Sequence, residues 1–238
     1  MGSSDQNRKA IAENRKRIFS LDNEVMTNKT LIYASRSMIE ENRLMILSNY
    51  SAAFMGNRQI ANSNTDEIFE NRQAILDNVV TQNDVEENFV NSQKNRASLE
   101  FLEHRSQLNS AVLAISEKMA AINAELIDIN RQIMESNQAI VDFNSAQIAI
   151  NTSLLSGDLQ PSNATPESNA KTIEGNRKMM DDLEKRVTAN REKMESLVKT
   201  SEANAQSLAE NKKAINERRD TMLANRAKIS ANKAKIFG

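Results

Sequence analysis

The chain has no cysteine and no tryptophan, and among its 238 residues there are one histidine, two prolines, five glycines and two tyrosines. Without cysteine there is no disulfide, no thiolate nucleophile and no cysteine-based metal centre. A single imidazole, His104, builds no histidine cluster for a metal and reads as a solvated side chain. Aromatic residues make up 4% of the chain, and turn punctuation is too sparse for the short, closely spaced strands of a sheet domain. No apolar run approaches the roughly 20 residues of a membrane helix. The start "MGSSDQ" carries no signal-peptide apolar region, and Gln6 stands where N-myristoylation requires Ser or Thr. The formal net charge of −1 supplies no general basic field for nucleic acid, which is not an expected partner. The expected protein is soluble, with the cytoplasm favoured.

What the chain does contain is Ile, Leu, Met and Ala distributed among amides and charges, the composition of long amphipathic helices. Two breaks interrupt it. "SGDLQPSNATPES", Ser156 to Ser168, holds both prolines, and no helix crosses it intact. At "VVTQNDVEEN", Val79 to Asn88, Asn83 or Asp84 ahead of Glu86 and Glu87 reads as a new helix N-terminus. The chain is therefore expected to be a single elongated all-α domain over residues 1–238. Its three helices run over about 5–80, 84–155 and 167–236, with a loop at 156–167, arranged up-down-up as an antiparallel three-helix coiled-coil bundle. Helices of about 70–75 residues would each be roughly 105–115 Å long. The charge order fits: residues 81–157 carry five basic and ten acidic side chains, and residues 158–238 carry sixteen and twelve.

A heptad fills all three segments. In the first, Asn7, Asn14, Asn28, Asn42 and Asn49 share one phase with Leu21 and Ser35, and an aliphatic residue follows four positions later, as at Ile11, Ile18, Ile32 and Ile46. Steps of three and four define a coiled-coil seam, read here with Ile at a and Asn at d. After Met55 and Gly56 the phase slips by one residue and resumes at Asn57, Asn64, Asn71 and Asn78. The second segment has Asn123, Asn130, Asn137, Asn144 and Asn151, and the third has Asn176, Asn190, Asn204, Asn211, Asn225 and Asn232. Asparagine is a poor helix former, and a buried amide without partners costs ~1–3 kcal/mol. So many of them are expected to meet as polar layers that bond one amide to another and fix register.

The spacing Ile-x-x-Asn, with Thr following in "IAINTSLL" at Ile148 to Leu155, resembles the stalk layers of trimeric autotransporter adhesins. That resemblance covers the seam and no head, anchor or β-element. It implies a parallel trimer in which Asn at d surrounds a halide or similar anion, as an alternative to layers of amide on amide.

No nucleophile–base set and no glycine-rich phosphate loop is present, so neither an enzyme nor a cofactor is expected. Met179, Met180, Met194 and Met222 read as core filler. One charged cluster remains: Lys212, Lys213, Arg218, Arg219, Arg226, Lys228, Lys233 and Lys235 against Glu217 and Asp220, a candidate contact for an anionic partner. Ile115, Ile122, Ile129, Phe143 and Ile150 form a second apolar stripe beside the Asn row. The function expected is that of a structural coiled coil, as rigid spacer, stalk, scaffold or filament subunit that self-assembles or holds a protein partner. The alternative is an adaptor that docks its partner on the helix faces or the basic end.

Overall fold

A computed structural model describes residues 4–237. The protein is all-α: α1 (Ser4–Tyr50), a π-helical segment (Ser51–Asn57), α2 (Arg58–Asp77), α3 (Asp84–Leu155), a single 3₁₀ turn (Pro161–Asn163) and α4 (Pro166–Phe237), with no strand among the described residues. None of these helices is long and apolar enough to cross a membrane.

The breaks lie where the sequence places them, and local chemistry accounts for each. Asn83 is the N-cap of α3: its side chain accepts from the Glu86 N–H at 3.0 Å, and the Glu86 carboxylate accepts from the Gln82 N–H at 2.7 Å. At α4 the reciprocal pair is Thr165 and Ser168, each hydroxyl accepting the other's N–H, with Pro166 in the first turn where its missing N–H costs nothing. α3 ends on Gly157 at φ +88°, and the Asp158 N–H reaches back to the Ser153 carbonyl, a glycine-terminated C-cap. The first helical stretch stops at Asp77, three residues short of the expected end, where Val79, Val80 and Thr81 place β-branched residues in series.

The single-residue phase slip appears as the seven-residue π-helical segment. A π turn absorbs one additional residue without ending a helix, so α1 and α2 remain continuous in direction of reading while their heptads differ by one.

The described chain clusters into two units, one of residues through Asn64 with Ser162–Lys228, the other of Thr65–Pro161 with residues from Ile229 onward. In the first, α1 and the start of α2 lie against α4. The contacts keep a constant difference in residue number, Asn14 with Ile173 and Asn42 with Ser201 both at 159, so the two strands of helix run parallel and in register. Ion pairs repeat the relation at a difference of 164, Arg17 with Asp181 at 2.7 Å and Arg177 with Glu13 at 3.1 Å.

In the second unit the end of α2 meets the start of α3 with opposite polarity. Asp77 pairs with Lys94, Arg72 with Glu100 and Asp66 with Arg105, the α3 number rising as the α2 number falls. Phe69 and Phe101 stack there with ring centroids 4.4 Å apart. Val90, Ala97 and Ile229 are the buried apolar residues of this unit.

Candidate functional site

The α1–α4 contact is a ladder with one kind of rung. From α1, the π-helical segment and α2, the side-chain Nδ2 of Asn7, Asn14, Asn28, Asn42, Asn49, Asn57, Asn64 and Asn71 donates to the backbone carbonyl of Pro166, Ile173, Val187, Ser201, Leu208, Ile215, Met222 and Ile229 in turn, at 2.8 to 3.3 Å. The difference in number is 159 through Asn49 and 158 from Asn57 on. The π-helical segment therefore takes up one residue at the point where the two helices would otherwise lose step.

The geometry differs from layers of amide facing amide. A helical carbonyl has a second lone pair beyond its own helical bond, so an Asn pressed against a helix finds an acceptor at every heptad without any polar side chain opposite. The facing residue is then free to be aliphatic: Ile173, Met180, Val187, Met194 and Ile229 are all buried. Where α1 carries Leu21 or Ser35 in place of Asn, α4 presents Met180 or Met194.

Of the two rows read from the sequence as the seam, each helix buries only one; the row that accompanies it is a different, half-buried one, with Arg17, Leu31 and Met38 on α1 and Arg177, Arg191 and Val198 on α4. On α1 the Asn row is buried, and the Ile row, about 40° further round the helix, is half exposed, as at Ile18 with 52%. On α4 the aliphatic row is buried, and Asn176, Asn190, Asn204, Asn211, Asn225 and Asn232 are exposed. Asn123, Asn130, Asn137, Asn144 and Asn151 on α3 are exposed as well. The Ile-at-a, Asn-at-d pair of rows thus contributes its Asn half from α1 and its aliphatic half from α4.

The rungs are incompletely satisfied. Asn28, Asn57, Asn64 and Asn71 each leave a buried Oδ1 with no hydrogen-bond partner. At Asn14 the oxygen does have a donor, the Arg177 Nε at 3.4 Å. Eight bonds at about 1 kcal/mol each stand against four orphan oxygens at roughly 1–3 kcal/mol each. The two cancel to first order, so the rungs fix which face of α4 meets α1 and add little net stability.

Arg177 sits four residues after Ile173, the carbonyl partner of Asn14. The same position recurs as Arg191, Lys212, Arg219, Arg226 and Lys233, four residues after the partners of Asn28, Asn49, Asn57, Asn64 and Asn71. Opposite Leu21 and Ser35 it is Glu184 and Val198, and after the partners of Asn7 and Asn42 it is Ala170 and Ala205, so the basic residue accompanies six of the eight rungs. Four members of the basic cluster therefore belong to a heptad row along the ladder. In the sequence the density of charge near residues 212–235 is the conspicuous signal, whereas membership of the row depends on phase. Lys213, Arg218, Lys228 and Lys235 lie off the row, and all eight are exposed.

Elsewhere the chemistry is modest. A groove of about 320 Å³ between α2 and α3 is lined by Phe69, Arg72, Glu100, Phe101 and His104 among others. Its carboxyl, Glu100, is held below the ordinary carboxylate range by the Arg72 and Arg96 guanidinium groups, so it carries no proton to donate near neutrality. Asp181 and Glu184 raise Arg17, and Arg131 lowers Asp128, in exposed ion pairs of the same kind. No group of metal-ligating side chains occurs among the described residues. No family model, no curated protein and no solved structure matches the chain.

Proposed function

We propose that the protein is a structural coiled coil, a spacer or scaffold in which asparagine rungs hold α1 and α4 parallel and in one register. The observation that carries this is the run of eight Asn-to-carbonyl bonds at a constant difference of 159, then 158. A long apolar seam with a seven-residue repeat is nearly degenerate to slips of one heptad, and a polar row that must meet the partner helix in one orientation resists intermediate slips. A spacer needs a fixed geometry along its length more than it needs stability.

In this reading the basic row of α4 serves the ladder. Arg191, Arg219, Arg226 and Lys233 stand beside the rungs at Asn28, Asn57, Asn64 and Asn71 in the heptad position from which Arg177 donates to Asn14, where their aliphatic stems can cover the seam. In this reading the rungs need no anion, because one N–H of each NH₂ already donates to a carbonyl and the amide oxygen beside it would repel a halide. The resemblance to adhesin stalk layers then extends to spacing and not to ligand chemistry. Neither nucleic acid nor an anionic surface is needed to explain Lys212, Arg219, Arg226 and Lys233, the four members of the basic cluster on this row.

Rigidity is open to direct measurement. Spin labels at Lys171 and Lys213, both exposed on α4 within the first unit, are separated by about 63 Å if the helix is unbroken. A narrow distance distribution near that value is expected from electron–electron double resonance. A broad one centred well below it would remove the spacer reading.

One observation favours the adaptor as a second reading. The Ile row of α1 stays half exposed over six heptads, with Ile11 at 53% and Ile46 at 52%, an unusual length of apolar surface for a helix with nothing to hold.

A further inference from the structure

The seam that α3 uses against α2 continues past the end of that contact. Phe101, Leu108 and Val112 are half-buried. Beyond them the three-and-four spacing runs unbroken through positions 112, 115, 119, 122, 126, 129, 133, 136, 140, 143, 147, 150 and 154, and eleven of these thirteen are apolar, the exceptions being Ser136 and Gln147. From Ile115 on, the large apolar side chains of this seam, apart from the half-buried Met119, are exposed by between 39% at Leu126 and 63% at Phe143. The polar contacts of the segment are local, as in Ser116 to Val112, Arg131 to Glu135 and Gln138 to Asp142. The second apolar stripe of the sequence is thus the d row of a complete coiled-coil seam, and the α3 asparagines flank it.

We propose that this seam, Val112 to Leu154, binds the same seam of a second copy of the chain, with the two α3 helices antiparallel. The proposal rests on the reading of the protein as a structural coiled coil. Three features point to a like partner. The seam is continuous with an interface already in use on α3, so it is built for a helix. Eleven side chains each contributing on the order of 50 Å² of apolar burial give roughly 1,100 Å² over two copies. With the flanking residues added, this clears the ~1,000 Å² that a stable interface needs.

The third feature is the flanks. One side of the seam is Ser116, Asn123, Asn130, Asn137, Asn144 and Asn151, and the other is Lys118, Glu125, Gln132, Ala139, Ala146 and Ser153. A charged flank would demand the opposite charge from its partner, whereas an amide donates and accepts and so complements a copy of itself. Antiparallel pairing sets one Asn row against the other, centred on Asn137, and opposes the helix dipoles favourably. It also sets Lys118 and Glu125 against the neutral Ser153 and Ala146.

The full-length chain should sediment as a dimer. Ile129→Asp with Ile133→Asp should weaken association by roughly 100-fold or more, since each places a charge in the seam, while helicity by circular dichroism and the α1–α4 ladder stay unchanged. The chain has no native cysteine, so polarity can be read with a short bis-maleimide. Asn137→Cys should cross-link to its own copy, and Asn123→Cys should cross-link to Asn151→Cys in a mixture but not to itself. A wild-type monomer at all concentrations, or Asn123→Cys linking to itself, overturns the proposal. Either result leaves the spacer reading intact, because that stands or falls on α4 in the first unit.

Discussion

Deleting Gly56 should leave the protein folded and raise its melting temperature by about 2–4 °C. Between Asn49 and Asn57 the α1 side of the ladder counts eight residues, and between Leu208 and Ile215 the α4 side counts seven. The π-helical segment absorbs the difference. Removing one residue there makes both sides seven, so the segment can revert to α-helix and every rung keeps its partner. A helix-interior glycine costs about 1 kcal/mol relative to Ala, and about 1 kcal/mol moves the midpoint of a chain of this size by a few degrees. A Cβ built on Gly56 meets nothing within 4 Å, so no close packing holds a glycine at that position. Deleting Lys213 should have the opposite outcome. The α4 side would then count six against eight, and the rungs at Asn57, Asn64 and Asn71 would all be lost with the burial of Ile215, Met222 and Ile229. Three bonds at about 1 kcal/mol and three aliphatic side chains at roughly 1 kcal/mol or more each amount to at least ~5 kcal/mol, comparable with the total stability of many domains. Thermal unfolding of the two deletions checks both halves, and equal losses would show that the π-helical segment does not adjust the register.

The second large effect concerns Asn64. Replacing it by Leu removes a buried oxygen that has no partner and adds apolar volume against Met222, whose carbonyl keeps its own helical bond. A gain of about 1–3 kcal/mol is expected. Asn64→Asp leaves the same shape with a carboxylate pointed at that carbonyl, and should cost about 3 kcal/mol or more. On α3, Asn130 is exposed, and Asn130→Leu should stay within about 0.5 kcal/mol of the parent. The same series tests the basic row. Arg226 makes no bond to the Asn64 oxygen, so Arg226→Met should stay within about 0.5 kcal/mol of its parent whether residue 64 is Asn or Leu, an absence of coupling that denaturant titration of the four proteins resolves. A loss of more than 1 kcal/mol on Asn64→Leu would show that its oxygen is already satisfied.

Much of the fold is legible in the sequence because the signals are local. Pro161, Pro166 and Gly157 mark one break, Asn83 with Glu86 marks the other, and the phase slip beside Gly56 is visible as a count of eight among sevens. What was hidden is which neighbouring row faces the partner. Ile18 and Asn14 are only about 40° apart on the helix, so periodicity alone assigns both to the seam, and the structure uses Asn14 on α1 but Ile173 on α4. On α3 the Ile-and-Asn rows and the continuous apolar rows beside them share one repeat length, and Ile122 and Asn123 are adjacent residues, so periodicity alone does not separate the two. The parallel offset was hidden for a related reason: shifting α4 by seven residues still sets asparagine against an aliphatic row at most levels. The backbone carbonyl as the acceptor leaves no trace in the side-chain pattern at all.

The central claim is that α1 and α4 are parallel at a single register, and cross-linking within the chain tests it most directly. Arg17 and Asp181 stand 2.7 Å apart as an ion pair, and both are accessible enough to label. With Arg17→Cys fixed, a short bis-maleimide at low protein concentration should close the loop to Asp181→Cys and fail with Thr188→Cys, one heptad or about 10 Å further along α4. Comparable closure at both positions would mean a sliding ladder, and closure at Thr188 alone would mean a different register; either would contradict the account.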